Sequence, residues 1–132
     1  MSARKPLVWS GAVRWFPRAL QAIAGVSKVC NAPDEPLTWD LHRSPHHADS
    51  LTRHLLQPYD VDPDTNALHL VHVAWRAVAW CELVQHALEL QAVTLDELRS
   101  GNVDVVDLPD LIAAKLQRDP DAPQTRSRST RA

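Results

Sequence analysis

Residues 68–90, which begin Leu68-His69-Leu70-Val71-His72-Val73-Ala74-Trp75-Arg76 and run on to Leu90, decide the fold. Leu68, Val71, Trp75 and Val78 share one helical face, and Leu70, Val73, Ala74 and Ala77 share another. A helix that is apolar on most sides must be covered by several neighbours, within its own chain or in an oligomer. The spacing predicts a long helix, capped by Asp64 or Thr65 and ending near Leu90.

Working outward, Asp60 to Asn66 reads as a polar loop. Before it, Ser44 is placed to cap a helix with Pro45 at its first position. Ala48, Leu51 and Leu55 mark the buried face of that helix, and Pro58 ends it. Asn31 to Arg43, with Pro33 and Pro36, reads as loop. Pro17 suits the start of a helix over residues 17–30, where Leu20, Ile23, Ala24 and Ser27 recur at helical spacing. Residues 1–13 lack periodicity and are expected to form an extended arm.

Downstream, Thr94-Leu95-Asp96-Glu97 fits a capping box, and Gly101 closes the short helix it opens. Leu108, Leu111, Ile112 and Leu116 form the stripe of a last helix, with Pro109 near its start. The segment from Asp119 carries no apolar stripe and is expected to be disordered. The chain thus reads as all-α: an arm (1–13), a helical domain (14–92), a C-terminal helical appendage (93–118) and a disordered tail (119–132), with no internal repeat.

At 132 residues and 45% hydrophobic composition the chain suffices for one domain with a core. A net charge of −2 supplies no global field toward nucleic acid or membrane. Three glycines argue against a phosphate-cradling Gly loop. Cys30 and Cys81 lack metal-ligand spacing and are expected as buried free thiols in a reducing cytosol. No apolar run reaches the roughly 18 residues of a membrane span. No h-region follows the basic start at Arg4 and Lys5. A cytoplasmic protein is expected.

Most of the site chemistry falls between Arg53 and Arg76. Asp60, Asp62, Asp64 and Asn66 imitate the opening of an EF-hand, but Thr65 stands where the turn needs Gly and Val71 where a bidentate Glu belongs. Such a loop can hold Mg²⁺ beside substrate phosphates, or simply place aspartates at a helix N-terminus. His69, His72 and Arg76 share a helix face; two structural histidines and a functional pair are both open readings. Arg76 matches phosphate oxygens bidentately. Arg53 and His54 either point at the same pocket or cover a solvated face. His46 and His47 read as surface residues. The tryptophans read as core or interface, though Trp39 in its Pro-rich loop can also stack on a base.

Three stretches together resemble the phage-associated dATP/dGTP diphosphohydrolase family, a MazG-related branch of the all-α nucleotide pyrophosphatases. Arg18-Ala19-Leu20-Gln21-Ala22-Ile23-Ala24 through Lys28 is similar to the family's opening helix, and Trp39 falls where the family has an N-W pair. Arg53-His54-Leu55-Leu56, then Asp60-Val61-Asp62-Pro63-Asp64-Thr65, then His69-Leu70-Val71-His72-Val73-Ala74 follow the family's R-H-L-L, D-x-D-P-E-T-G and H-L-x-H-A elements in order. The resemblance implies a MazG-like helical bundle that assembles as a homo-oligomer in the host cell if phage-encoded. It further implies Mg²⁺-dependent (or Mn²⁺-dependent) hydrolysis of a purine deoxynucleoside triphosphate to monophosphate and pyrophosphate. Carried over by position, Asp60 and Asp62 become metal ligands and, with His72, catalytic. Lys28, Trp39, Arg53, His54 and His69 become substrate-binding, and Arg76 joins them as a phosphate contact on its own guanidinium chemistry, not by the resemblance. The family's first-helix acids are replaced by Gln21 and Gly25, its loop glycine by Asn66 and its later asparagine by Arg76. Those departures favour a second reading, a catalytically degenerate nucleotide-binding or protein-interaction module on the same scaffold.

Overall fold

The computed structural model describes residues 5–121. Its helices are α1 (Pro17–Val29), α2 (His47–Leu55), α3 (His69–Glu89), α4 (Leu95–Arg99) and α5 (Leu108–Arg118). Two-residue strands β1 (Val61–Asp62) and β2 (Ala67–Leu68) pair antiparallel between α2 and α3. The architecture is all-α, with helix far outweighing strand.

The 21-residue α3 is the axis on which the rest is arranged. Helices α1, α2 and α5 each pack on it. Its second half supplies Leu83 and Ala87, and the capping residue after it Leu90, to a core completed by Val93, Val105, Leu108 and Ile112. Residues 93–118, an appendage by sequence, therefore carry four of the seven buried residues of the principal core. Leu83 and Leu108 are fully buried where α3 meets α5.

Local signals account for several boundaries. Pro17 occupies the first position of α1. Thr94 accepts from the Glu97 amide and Glu97 accepts from the Thr94 amide, so the capping box is reciprocal. Gly101 then takes φ 77°, the left-handed conformation that closes α4. Thr94→Ala is expected to cost about 1 kcal/mol, read as a lowered midpoint in thermal unfolding.

Four expectations are corrected. Residues 9–13 form a single π-helical turn, not extended chain; residues 1–4 of the expected arm lie outside the described residues. Ser44 does not cap α2, which begins three residues later at His47. Its backbone sits at φ 55°, and its carbonyl and hydroxyl are both held by Arg76. Neither Asp64 nor Thr65 caps α3, which starts at His69 after the hairpin has turned the chain. Cys30 and Cys81 are free but exposed, Cys81 because the α3 face it shares with Ala77, Val78 and Trp80 is uncovered within the described residues. Of the expected tail, residues 122–132 lie outside the described residues. No described helix is long and apolar enough to cross a membrane.

Candidate metal centre

The site is built by the link between α2 and α3. Beyond Leu55 the chain turns, and the His69 amide donates to the Asp60 carbonyl at 2.9 Å while the Leu70 amide donates to the Pro58 carbonyl at 3.0 Å. Val61 pairs with Leu68 and Asp62 with Ala67. Asn66 closes the turn at φ 59°, a conformation asparagine tolerates. Asp62 Oδ1 accepts from the Asp64 amide at 2.8 Å, an Asx turn that orients the carboxylate. The hairpin thereby lays α3 back against α2, so that His54 near the end of α2 meets His69 at the start of α3.

Four side chains converge there. His54 Nδ1 and His69 Nδ1 are 2.7 Å apart. Only one of them can carry a proton between them, which puts the two rings in opposite tautomers. One ligand atom each of His54, Asp62 and His69 lie within 4.8 Å of one another, so the three form a possible metal-binding triad. His72 stacks on His54 with ring centroids 4.5 Å apart and planes 13° from parallel. Its Nε2 lies 2.7 Å from Thr65 Oγ1 and 3.5 Å from Asp62 Oδ2. Asp62 and His72 side chains are only 13% and 12% exposed, so their attraction is little screened.

Burial is the first cause that lowers the pKa of His54, with neighbouring His72 and His69 adding to it against the opposing pull of Asp62. Burial also lowers His72, again opposed by Asp62, with His69 and Arg76 adding to the depression. Both rings are thus held toward the neutral form, which has the free lone pair a metal ion or a proton needs.

The residues carried over by resemblance separate into groups. His54, Asp62, His69 and His72 come together. Asp60, expected beside Asp62 as a ligand, is exposed and outside the triad; its carbonyl anchors the hairpin instead. Arg53 lies exposed beside His54. Lys28 is exposed in the last turn of α1, next to Ser27, whose hydroxyl accepts from the Trp75 indole at 2.8 Å.

Arg76 is tied down by protein. It donates to the Ser44 carbonyl at 2.7 Å, to Ser44 Oγ at 2.9 Å and to His47 Nδ1 at 3.0 Å. Arginine has no acceptor atom, so His47 is neutral with its proton on Nε2. His47, expected at the surface, is 1% exposed and walled by Trp39 and Trp75 at ring separations of 6.5 and 6.2 Å. Trp39 also meets Trp75 edge-on at 6.1 Å and packs against the core, which is the packing role open to it by sequence.

Thr65 and Ser44 have polar roles that composition did not signal. For the first the cause is the hairpin: four residues separate β1 from β2, and the turn they form sets Thr65 back over the opening turn of α3. No family model matches the chain, and neither the curated proteins nor the solved structures contain a match.

Proposed function

We propose that this protein hydrolyses a purine deoxynucleoside triphosphate to the monophosphate and pyrophosphate. The observation that supports the reading is the convergence of His54, Asp62, His69 and His72 at the α2–hairpin–α3 junction, with exposed Arg53 on the adjoining turn. Water would add to phosphorus at the α–β anhydride while the bridging P–O bond breaks and pyrophosphate departs. The Asp62 carboxylate, faced by His72, takes the proton of the attacking water. Arg53, adjacent to His54, is an exposed cation suited to polyphosphate oxygens, and Lys28, exposed on α1, is a second one that the resemblance assigns to substrate.

Mg²⁺, expected from the resemblance, fits this donor set poorly. It prefers oxygen ligands in octahedral geometry, and Asp62 is the single oxygen donor of the triad. On α1, Gln21 and Gly25 add no carboxylate.

One specific observation favours the degenerate binding or interaction module: Arg76, the side chain best shaped for phosphate, spends its donors on Ser44 and His47. Purified protein incubated with each deoxynucleoside triphosphate and a divalent ion separates the two readings. Pyrophosphate release is the expected result. Retained nucleotide binding by calorimetry without release leaves the module, and absence of both removes nucleotides from consideration.

A further inference from the structure

We infer that His54, Asp62 and His69 form a binding site for a borderline transition-metal ion, best matched by Zn²⁺, with His72 and Thr65 as the residues that position the Asp62 carboxylate. The inference concerns the same pocket as the proposed hydrolase, but it is read by metal binding and does not require turnover.

The donor set carries the argument. Two imidazole nitrogens and one carboxylate are the ligands of catalytic zinc sites that keep a fourth position open, and of facial sites for Fe²⁺. Magnesium and calcium recruit oxygen almost exclusively. The separations are of the right scale. Zinc–nitrogen bonds of about 2.0–2.1 Å in a tetrahedral set place two nitrogens roughly 3.3 Å apart. His54 and His69 hold theirs at 2.7 Å. Opening that pair by about half an ångström needs only small ring rotations, and it replaces a shared proton by a shared cation.

The support around the triad is also of the kind metal sites use. Each ligand comes from a different element: α2, the hairpin and the first residue of α3. The hairpin hydrogen bonds fix those elements to one another. Asp62 Oδ1 is held by the Asp64 amide, and Oδ2 faces His72 Nε2, itself in contact with Thr65 Oγ1. A carboxylate restrained at both oxygens, behind a layer of imidazole, is oriented before any ion arrives. Parallel stacking of His72 on His54 fixes one of the ligand rings as well.

The test uses the full chain stripped by chelator and then titrated in separate calorimetric runs with Zn²⁺, Co²⁺ and Mg²⁺. One equivalent of Zn²⁺ or Co²⁺ is expected to bind at least a hundredfold more tightly than Mg²⁺. Bound Co²⁺ is expected to show the visible d–d absorption of an imidazole-ligated ion, a readout that requires no variant. His69→Ala and His54→Gln should each weaken Zn²⁺ by tenfold or more. His72→Phe should weaken it roughly tenfold to a hundredfold through Asp62, and His46→Gln, on the exposed approach to α2, should leave it unchanged. Equal affinity for Zn²⁺ and Mg²⁺, or Zn²⁺ binding that survives both His54→Gln and His69→Ala, overturns the inference. Zinc bound without nucleotide turnover supports the site while counting against the hydrolase. Turnover by a protein that fails to bind zinc does the reverse.

Discussion

Asp62→Asn is expected to lower pyrophosphate release by about a hundredfold to ten-thousandfold, the usual contribution of a positioned acid–base group, while leaving the fold intact. The substitution is nearly isosteric. Asparagine keeps an Oδ1 that can accept from the Asp64 amide, now at 2.8 Å, so the Asx turn and the hairpin survive. What disappears is the negative charge facing His72 at 3.5 Å and the carboxylate oxygen of the triad. Turnover under saturating nucleotide, compared with far-ultraviolet circular dichroism of the same preparation, checks both halves. Activity within threefold of the parent protein would place the chemistry elsewhere. Unfolding would show that the charge is structural.

Acid is expected to destabilise the protein well before its carboxylates titrate. His47 is buried, and its pKa is lowered from 6.5 to about 4, first by desolvation and then by the Arg76 and His46 charges. A histidine with a depressed folded-state pKa is bound by fewer protons when folded than when unfolded. Stability is therefore at its full value above the unfolded pKa near 6.5 and falls as pH drops toward 4, below which the loss levels off. Even after allowance for solvent screening, His47 alone accounts for a loss on the order of 2 kcal/mol over that window. His54 and His72 are shifted in the same direction and add to the loss. Denaturant midpoints measured between pH 7.5 and pH 4 check the sign. In a His47→Phe variant the pH dependence should shrink, whatever that variant's absolute stability.

The elements legible in sequence were those set by chemistry within a few residues. Thr94 and Glu97 are three apart and satisfy each other's amides, and Gly101 needed only its missing side chain to close α4. The approximate span of α3 followed from its periodicity. Ser44 illustrates the opposite case. Its local context, immediately before Pro45, is that of a cap, but Arg76 arrives from 32 residues away and takes both its carbonyl and its hydroxyl. Tertiary contact overrode the local preference, and α2 starts at His47 instead. Asp64 and Thr65 misled for a related reason: the pairing of Asp62 with Ala67 spends those residues on a turn before the helix can begin.

The candidate site was partly legible. His69 and His72 stood out for their helical spacing and Asp62 for its alternating loop, whereas His54 was open between the pocket and a solvated face; the structure brings the four together. Their division of labour did not. A linear reading grouped Asp60 with Asp62 by residue type, whereas Asp60 lies just before β1, exposed and with its carbonyl taken by the His69 amide, and only Asp62 falls in the triad. Arg76 read as a free cation because nothing in sequence indicated that the chain near Ser44 returns to it.

The hairpin between α2 and α3 also bears on how the molecule reaches its native state. His54 and His69 are 15 residues apart, and the loop that joins them closes on itself through β1 and β2. Closing so short a segment carries a small entropic cost, and the β1–β2 hairpin within it spans fewer residues than the link from α3 to α5. The histidine cluster is thus expected to be in place in the folding transition state, before the principal core condenses. Substitutions at Asp62 or Asn66 should then slow folding, while those at Leu108 or Ile112 should mainly speed unfolding.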